Sequence, residues 1–161
     1  MDRIWAPWRM SYIKAIASEE GCVFCTAWNT EEDREKLVLE RTEHSLIMLN
    51  RFPYTNGHMM AAPMRHTSDL DDLSDIELLD LMKSVRRARN LLQKIARPDG
   101  FNIGVNLGRG AGAGIEDHLH IHIVPRWVGD SNFMTVVGDI RVIPEGLMIT
   151  YDMLYEALIS L

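Results

Sequence analysis

The sequence predicts an α+β fold: an antiparallel sheet of about five strands, one long helix inserted between two hairpins, and a further helix at the C-terminus. Three observations carry this. Residues 118–124 read His-Leu-His-Ile-His-Ile-Val, a strict polar/apolar alternation with the period of a half-buried strand. Other short apolar segments flank residues 74–95, separated by Pro, Gly and Asn turn chemistry. Residues 74–95 themselves carry apolar side chains at three- and four-residue steps.

In chain order, residues 1–30 form an arm rich in large rings (Trp5, Trp8, Tyr12, Phe24, Trp28), expected to pack on the body or on a second subunit. Residues 31–36 are a charged connector. Residues 37–40 and 44–49 read as strands joined by a turn at 40–43, and Asn50 closes the second. Phe52-Pro53-Tyr54-Thr55-Asn56-Gly57 has the chemistry of a long hairpin loop, and residues 58–62 return as a third strand halted by Pro63. Ser74 with Glu77 matches a capping box, which opens a helix over residues 75–96. Leu78, Met82, Val85, Ala88, Leu92 and Ile95 give its apolar stripe, and Pro98-Asp99-Gly100 ends it. Residues 101–107 are a fourth strand, and residues 108–114 a loop of glycine and alanine around Arg109. Residues 118–124 are the fifth strand, with His118, His120 and His122 on one face and Leu119, Ile121 and Ile123 in the core. Pro125, lacking an N–H, is expected to end its ladder. Arg126-Trp127, a turn at Gly129-Asp130, a segment at 133–137 and a helix at 147–161 complete the chain. Neither repeat nor linker divides it, so one domain over residues 1–161 is expected, with a C-terminal extension from about residue 128.

The 161 residues are 47% hydrophobic and 25% charged, which suits a domain with a substantial core. A formal net charge of −6 argues against nucleic acid or anionic lipid as partner. Neither a membrane-spanning run nor a signal-peptide core is found, so a cytoplasmic protein is expected. The two cysteines, Cys22 and Cys25, are too few for a disulfide framework. They leave a redox pair, half a zinc site, or two ordinary thiols.

Half of the six histidines lie in register on one strand face, more than packing accounts for. Imidazoles spaced by two suit zinc hydrolysis, general acid–base catalysis, or nucleophilic attack on phosphorus by the middle ring. His118 and His122 stand about 13 Å apart at Cα along a strand, so the three do not readily crowd one ion and His120 takes the centre. The glycine loop leading into the strand can turn backbone N–H groups toward an anion, which favours a phosphate ligand.

His118-Leu-His120-Ile-His122-Ile-Val124 resembles the signature of the histidine-triad (HIT) family of nucleotide hydrolases and transferases. Pro125-Arg126-Trp127, the Ala-Gly-rich approach, and Gly57-His58 opening a strand that ends in Pro63 resemble it too, so the likeness covers residues 20–127. Trp5-Ala-Pro-Trp-Arg9 and Gly129-Asp-Ser-Asn-Phe-Met134 are similar to the branch that contains bacterial diadenosine-tetraphosphate phosphorylases. The resemblance implies a HIT-like fold and a homodimer whose sheets join edge to edge. It implies that His120 is the nucleophile on the α-phosphorus of an adenine nucleotide, held by a backbone carbonyl, with His122 on the phosphate and His58 beside the triad. Asn50 would bind ribose hydroxyls, Asn106 would lie near the phosphates, and the backbone of Gly112, Ala113 and Gly114 would cradle them. Arg126 and Trp127 are further candidate nucleotide-binding residues, on which the choice of acceptor would depend. Many relatives carry Gln or Ser four residues before the first triad histidine. Here Gly114 stands there, so a backbone donor must replace that side chain.

Some members of the family bind structural zinc through a pair such as Cys22-x-x-Cys25, a histidine after the third strand (here His66), and the first triad histidine, His118. No organic cofactor is implied. The expected function is cleavage of dinucleoside polyphosphates through a nucleotidyl-histidine, to water or phosphate. The alternatives are a nucleoside phosphoramidate hydrolase, a metal hydrolase using His118 and His120 as ligands, and a non-catalytic nucleotide-binding regulatory module.

Overall fold

The structure is a computed structural model, and it describes residues 21–130 and 145–160. The rings at Trp5, Trp8 and Tyr12, the motif at residues 5–9, the segment at 133–137, most of the 129–134 motif and Leu161 lie outside the described residues.

Two short helices open the described chain, α1 (Val23–Trp28) and α2 (Asp33–Lys36). Strands β1 (Val38–Arg41), β2 (Ser45–Leu49) and β3 (Met59–Pro63) follow, then the long helix α3 (Asp75–Ile95). Strands β4 (Gly100–Val105) and β5 (Ile121–Arg126) come next, and α4 (Leu147–Ile159) ends the chain. The strands form one antiparallel sheet in the order β1-β2-β3-β5-β4. The expected α+β class, the hairpins β2/β3 and β4/β5, and the helix inserted between them all hold.

Strand β2 is buried on both faces. Ile47 and Leu49 point toward α3 and α4, into a core with Leu81, Val85, Ala88, Leu91 and Leu92, whereas Leu46 and Met48 meet Phe24 and Ala27 of α1. A strand covered on both sides reads as a continuous apolar run, as Leu46-Ile47-Met48-Leu49 does. Leu119, Ile121 and Ile123 join the α3 side, so the alternation through residues 118–124 is real.

Two expectations for that run need correction. Strand β5 starts at Ile121: the Leu119 N–H goes to the Thr67 carbonyl at 2.6 Å, so His118 to His120 approach the sheet without joining its ladder. Nor does Pro125 end the strand, since it pairs with Phe101. A strand residue's N–H and C=O point to the same edge. The Pro125 carbonyl accepts from Thr55 Oγ1 at 3.0 Å, on the β3 side, where pairing has already stopped at Ile123. The missing N–H therefore faces a place with no ladder bond to lose.

Helix α3 begins at Ser74, where both halves of the capping box form: Ser74 Oγ accepts from the Glu77 N–H at 3.4 Å, and Glu77 Oε2 accepts from the Ser74 N–H at 2.8 Å. The buried stripe differs from the expected one. Leu81 and Leu91 are buried, whereas Met82 is 53% exposed. Bonds to the Ser74 backbone and then to the Arg65 guanidinium hold the Glu77 carboxyl down at about 2. A carboxylate depressed on folding adds stability that is present above its unfolded value, near 4.5, and lost as pH falls through 2. The slope of unfolding free energy against pH between 5 and 2, from urea titrations, is therefore expected to be shallower in Glu77→Gln than in the parent. Parallel curves would contradict the assignment.

Candidate active site

Each imidazole of the central row has one nitrogen committed to a fixed partner, and a neutral ring has a single N–H, so the tautomers follow. His118 Nε2–H donates to the Pro63 carbonyl at 2.8 Å, leaving its Nδ1 with a lone pair. His120 Nδ1–H donates to the His118 carbonyl at 2.8 Å, leaving Nε2 with a lone pair. His58, fully buried, accepts the Tyr54 N–H on Nδ1 at 3.1 Å. Its proton is then on Nε2 and donates to His122 Nδ1 at 3.0 Å. His122 in turn carries its proton on Nε2. The result is an unprotonated nitrogen on His120 beside an N–H donor on His122, the two rings 4.8 Å apart and edge to face.

Burial favours the neutral form of His118, His120 and His122. It pushes His118 down to about 4, and burial followed by the neighbouring His120 brings His122 to about 4. His120 is lowered for the same first reason, opposed by its bond to the His118 carbonyl. Two aromatic walls cause the burial. Phe24 of α1 lies 5.0 Å from both His118 and His120, and Tyr54 lies 4.5 Å from His58 and 5.8 Å from His122. Neither wall was foreseen from the sequence. The sequence places Phe24 in an aromatic arm expected to pack on the body, as it does, and Tyr54 in a loop, but gives neither a part at the site.

The structure brings His58, His118, His120 and His122 together. Asn50 joins them at the end of β2, its amide nitrogen 3.4 Å from His58 Nδ1 and its Oδ1 accepting the Phe52 N–H at 2.9 Å. Asn106 follows the last residue of β4. In the glycine loop the chain takes a 3-10 turn over Arg109–Ala111, closed by Gly112 at φ 84°. That turn uses amides: the Gly112 N–H goes to the Arg109 carbonyl at 3.0 Å and the Ala113 N–H to the Gly108 carbonyl at 3.4 Å. Gly114 is exposed, four residues ahead of His118. Arg126 and Trp127 lie at the far end of β5, about 13 Å along the strand from His122. The Arg126 guanidinium spans Asp130 at 2.6 and 2.7 Å and Asn102 at 2.7 Å, and Trp127 Nε1 donates to the Ala96 carbonyl at 3.3 Å. Within one chain they are therefore not neighbours of the histidine row.

A second cluster shares His118. Ligand atoms of Cys22, Cys25, His66 and His118 all lie within 4.8 Å of one another. His118 Nδ1 is 3.2 Å from Cys22 Sγ, 3.6 Å from Cys25 Sγ and 3.2 Å from His66 Nδ1, and Cys25 Sγ is 3.3 Å from His66 Nδ1. Tetrahedral bonds of about 2.0 Å to nitrogen and 2.3 Å to sulfur imply edges of about 3.3–3.8 Å. Both the donor types and the spacing fit a metal, and the Pro63 carbonyl orients the lone pair of His118 into the cluster.

Comparison with known proteins bears on both clusters. The HIT domain family matches residues 31–128. A Mycobacterium tuberculosis protein named AP-4-A phosphorylase is 38% identical over 161 residues, covering 96% of this chain and 83% of its own. The asymmetrical bis(5'-nucleosyl)-tetraphosphatase of Schizosaccharomyces pombe is 37% identical over 93 residues, 58% of this chain and 50% of its own. Among solved structures, a Zn-bound histidine triad family protein from Mycobacterium smegmatis superposes with a TM-score of 0.68 at 27% identity, covering 87% of this chain and 94% of that one. With the triad face, the sheet order and these likenesses in agreement, the chain belongs to the HIT domain family.

Proposed function

We propose that the protein cleaves dinucleoside polyphosphates such as diadenosine tetraphosphate by nucleotidyl transfer through His120, with phosphate as the acceptor. The observation that carries this is the pair of fixed tautomers, a lone pair on His120 Nε2 next to an N–H on His122 Nε2. His120 Nε2 attacks the α-phosphorus, a P–N bond forms, and the P–O bond to the remaining polyphosphate breaks, the leaving group departing with its electron pair. His122 Nε2–H donates to an oxygen of the phosphorus under attack, where charge accumulates. Phosphate then attacks the same phosphorus, the P–N bond breaks, and His120 regains its lone pair. Asn50 holds the ribose. Asn106 and backbone amides from Gly114 onward meet the phosphates, the Gly112 and Ala113 amides serving to hold the turn. The name of the relative from M. tuberculosis, similar over 96% of this chain, supports phosphate over water.

Cys22, Cys25, His66 and His118 hold zinc in this proposal. Four protein ligands close the coordination shell, so the ion supplies folding stability and no reaction chemistry. Reduced thiols in that set suit a cytoplasmic location. Residues 1–161 act as one domain, and the active form is a homodimer joined along β4. That strand lies at the edge of the sheet and exposes Ile103 (47%) and Val105 (37%), an apolar edge of the kind that pairs with another chain. A solution mass of a single chain by light scattering would count against the dimer.

The activity is tested by incubating the protein with diadenosine tetraphosphate with and without phosphate. ADP plus ATP, formed only with phosphate, is expected. AMP plus ATP in both would make water the acceptor, and intact substrate in both would refute the activity.

A further inference from the structure

Helix α4 lies outside the family-matched residues 31–128, yet consecutive residues on it reach α2, β1 and the loop between β2 and β3. Asp152 takes two N–H bonds from Arg34 of α2, both at 2.9 Å. Tyr151, buried, donates to the Val38 carbonyl at the start of β1 at 2.8 Å. Thr150, also buried, places its hydroxyl 2.7 Å from Glu145 Oε2 and 3.1 Å from Asn56 Oδ1, and the Asn56 amide N–H donates back to Glu145 Oε2 at 3.4 Å.

Asn56 belongs to the loop between β2 and β3, and that loop performs two tasks at the site. It begins with Asn50, and it presents the Tyr54 N–H that fixes the His58 tautomer and, through it, the donor on His122. Its inner side is already pinned. Thr55 is bonded to the Pro125 carbonyl, and at Gly57 (φ +76°) a Cβ would meet Leu92 Cδ2 at 2.9 Å. The triangle of Asn56, Glu145 and Thr150 pins the adjoining residue from the other side.

We propose that Thr150, with Glu145, is a positioning residue: α4 acts through Asn56 to set the loop that holds the ribose and orients the His58–His122 pair. The proposal rests on the nucleotide reading of Asn50 and His122, and its test separates the two. Thr150→Val keeps the shape of the side chain and removes only the hydroxyl. Km for diadenosine tetraphosphate is expected to rise about three- to tenfold through the ribose contact, and kcat to fall about threefold through the His122 donor. In the nucleotide-free protein the Tyr54 amide is expected to exchange with solvent about tenfold faster. Thr150→Ser, which retains the hydroxyl, restores all three, and Glu145→Gln gives a weaker form of the Thr150→Val pattern. Parent values of Km and of Tyr54 exchange in Thr150→Val would overturn the proposal. Should the parent protein leave the dinucleotide uncut, the proposed function fails, and Tyr54 exchange alone decides for or against the positioning role.

Discussion

His120→Asn is expected to lower kcat by at least about four orders of magnitude while nucleotide affinity changes by no more than about threefold. The asymmetry follows from what the ring does. Its Nδ1–H holds the His118 carbonyl, and only Nε2 is available to bond to phosphorus. Asn retains a donor for the carbonyl and fits the space beside Phe24, but its amide nitrogen has no usable lone pair, so the P–N bond cannot form. Binding is expected to survive because the proposed contacts of Asn50, His122 and the backbone amides after the glycine turn do not depend on that nitrogen. The measurement is a pair: steady-state turnover of diadenosine tetraphosphate, and AMP affinity by calorimetry. Residual turnover within about tenfold of the parent would remove His120 as nucleophile. Loss of both turnover and AMP binding would point to collapse of the face.

Cys25→Ser is expected to empty the proposed zinc site and to lower the thermal midpoint by about 5–10 °C, in line with losing a few kcal/mol in a chain of this size. The metal set joins α1 to the segment just before β5, and the ring between the two cysteines, Phe24, is fully buried against His118 and His120. Loosening α1 thus also loosens the wall that desolvates the nucleophile, so turnover falls with stability. Zinc content by atomic emission and a melting curve read the effect. Chelation of the parent protein separates the proposed structural site from a metal hydrolase. In the latter, chelation would abolish catalysis outright, whereas here it acts only as far as it destabilises α1. Parent-level zinc in Cys25→Ser would dispose of the site.

Much of this was legible in the sequence where one physical signal was strong and local. The capping box at Ser74 and Glu77 placed the start of α3, and the alternation through residues 118–124 placed Leu119, Ile121 and Ile123 in the core. Signals that depend on tertiary partners were not legible. Helical spacing alone does not choose between overlapping stripes, so Met82 looked as good as Leu81 until the sheet chose the face. Pro125 looked like a strand end because its missing N–H matters only if a neighbour needs it, and β3 stops short of it. The amides of Gly112 and Ala113 looked available to an anion because a sequence does not show that a turn consumes them. The roles of Phe24 and Tyr54, and the reach of α4 to Asn56, rest on contacts between residues far apart in the chain.

The proposed chemistry turns on a bond between phosphorus and one ring nitrogen. Rapid acid-free quenching of the protein with labelled diadenosine tetraphosphate in the absence of phosphate, followed by proteolysis and mass spectrometry, tests that bond directly. One nucleotidyl group is expected on His120, in the peptide that ends at Arg126, and it disappears when phosphate is added. Turnover with no such adduct, or with the adduct on another residue, would contradict the account.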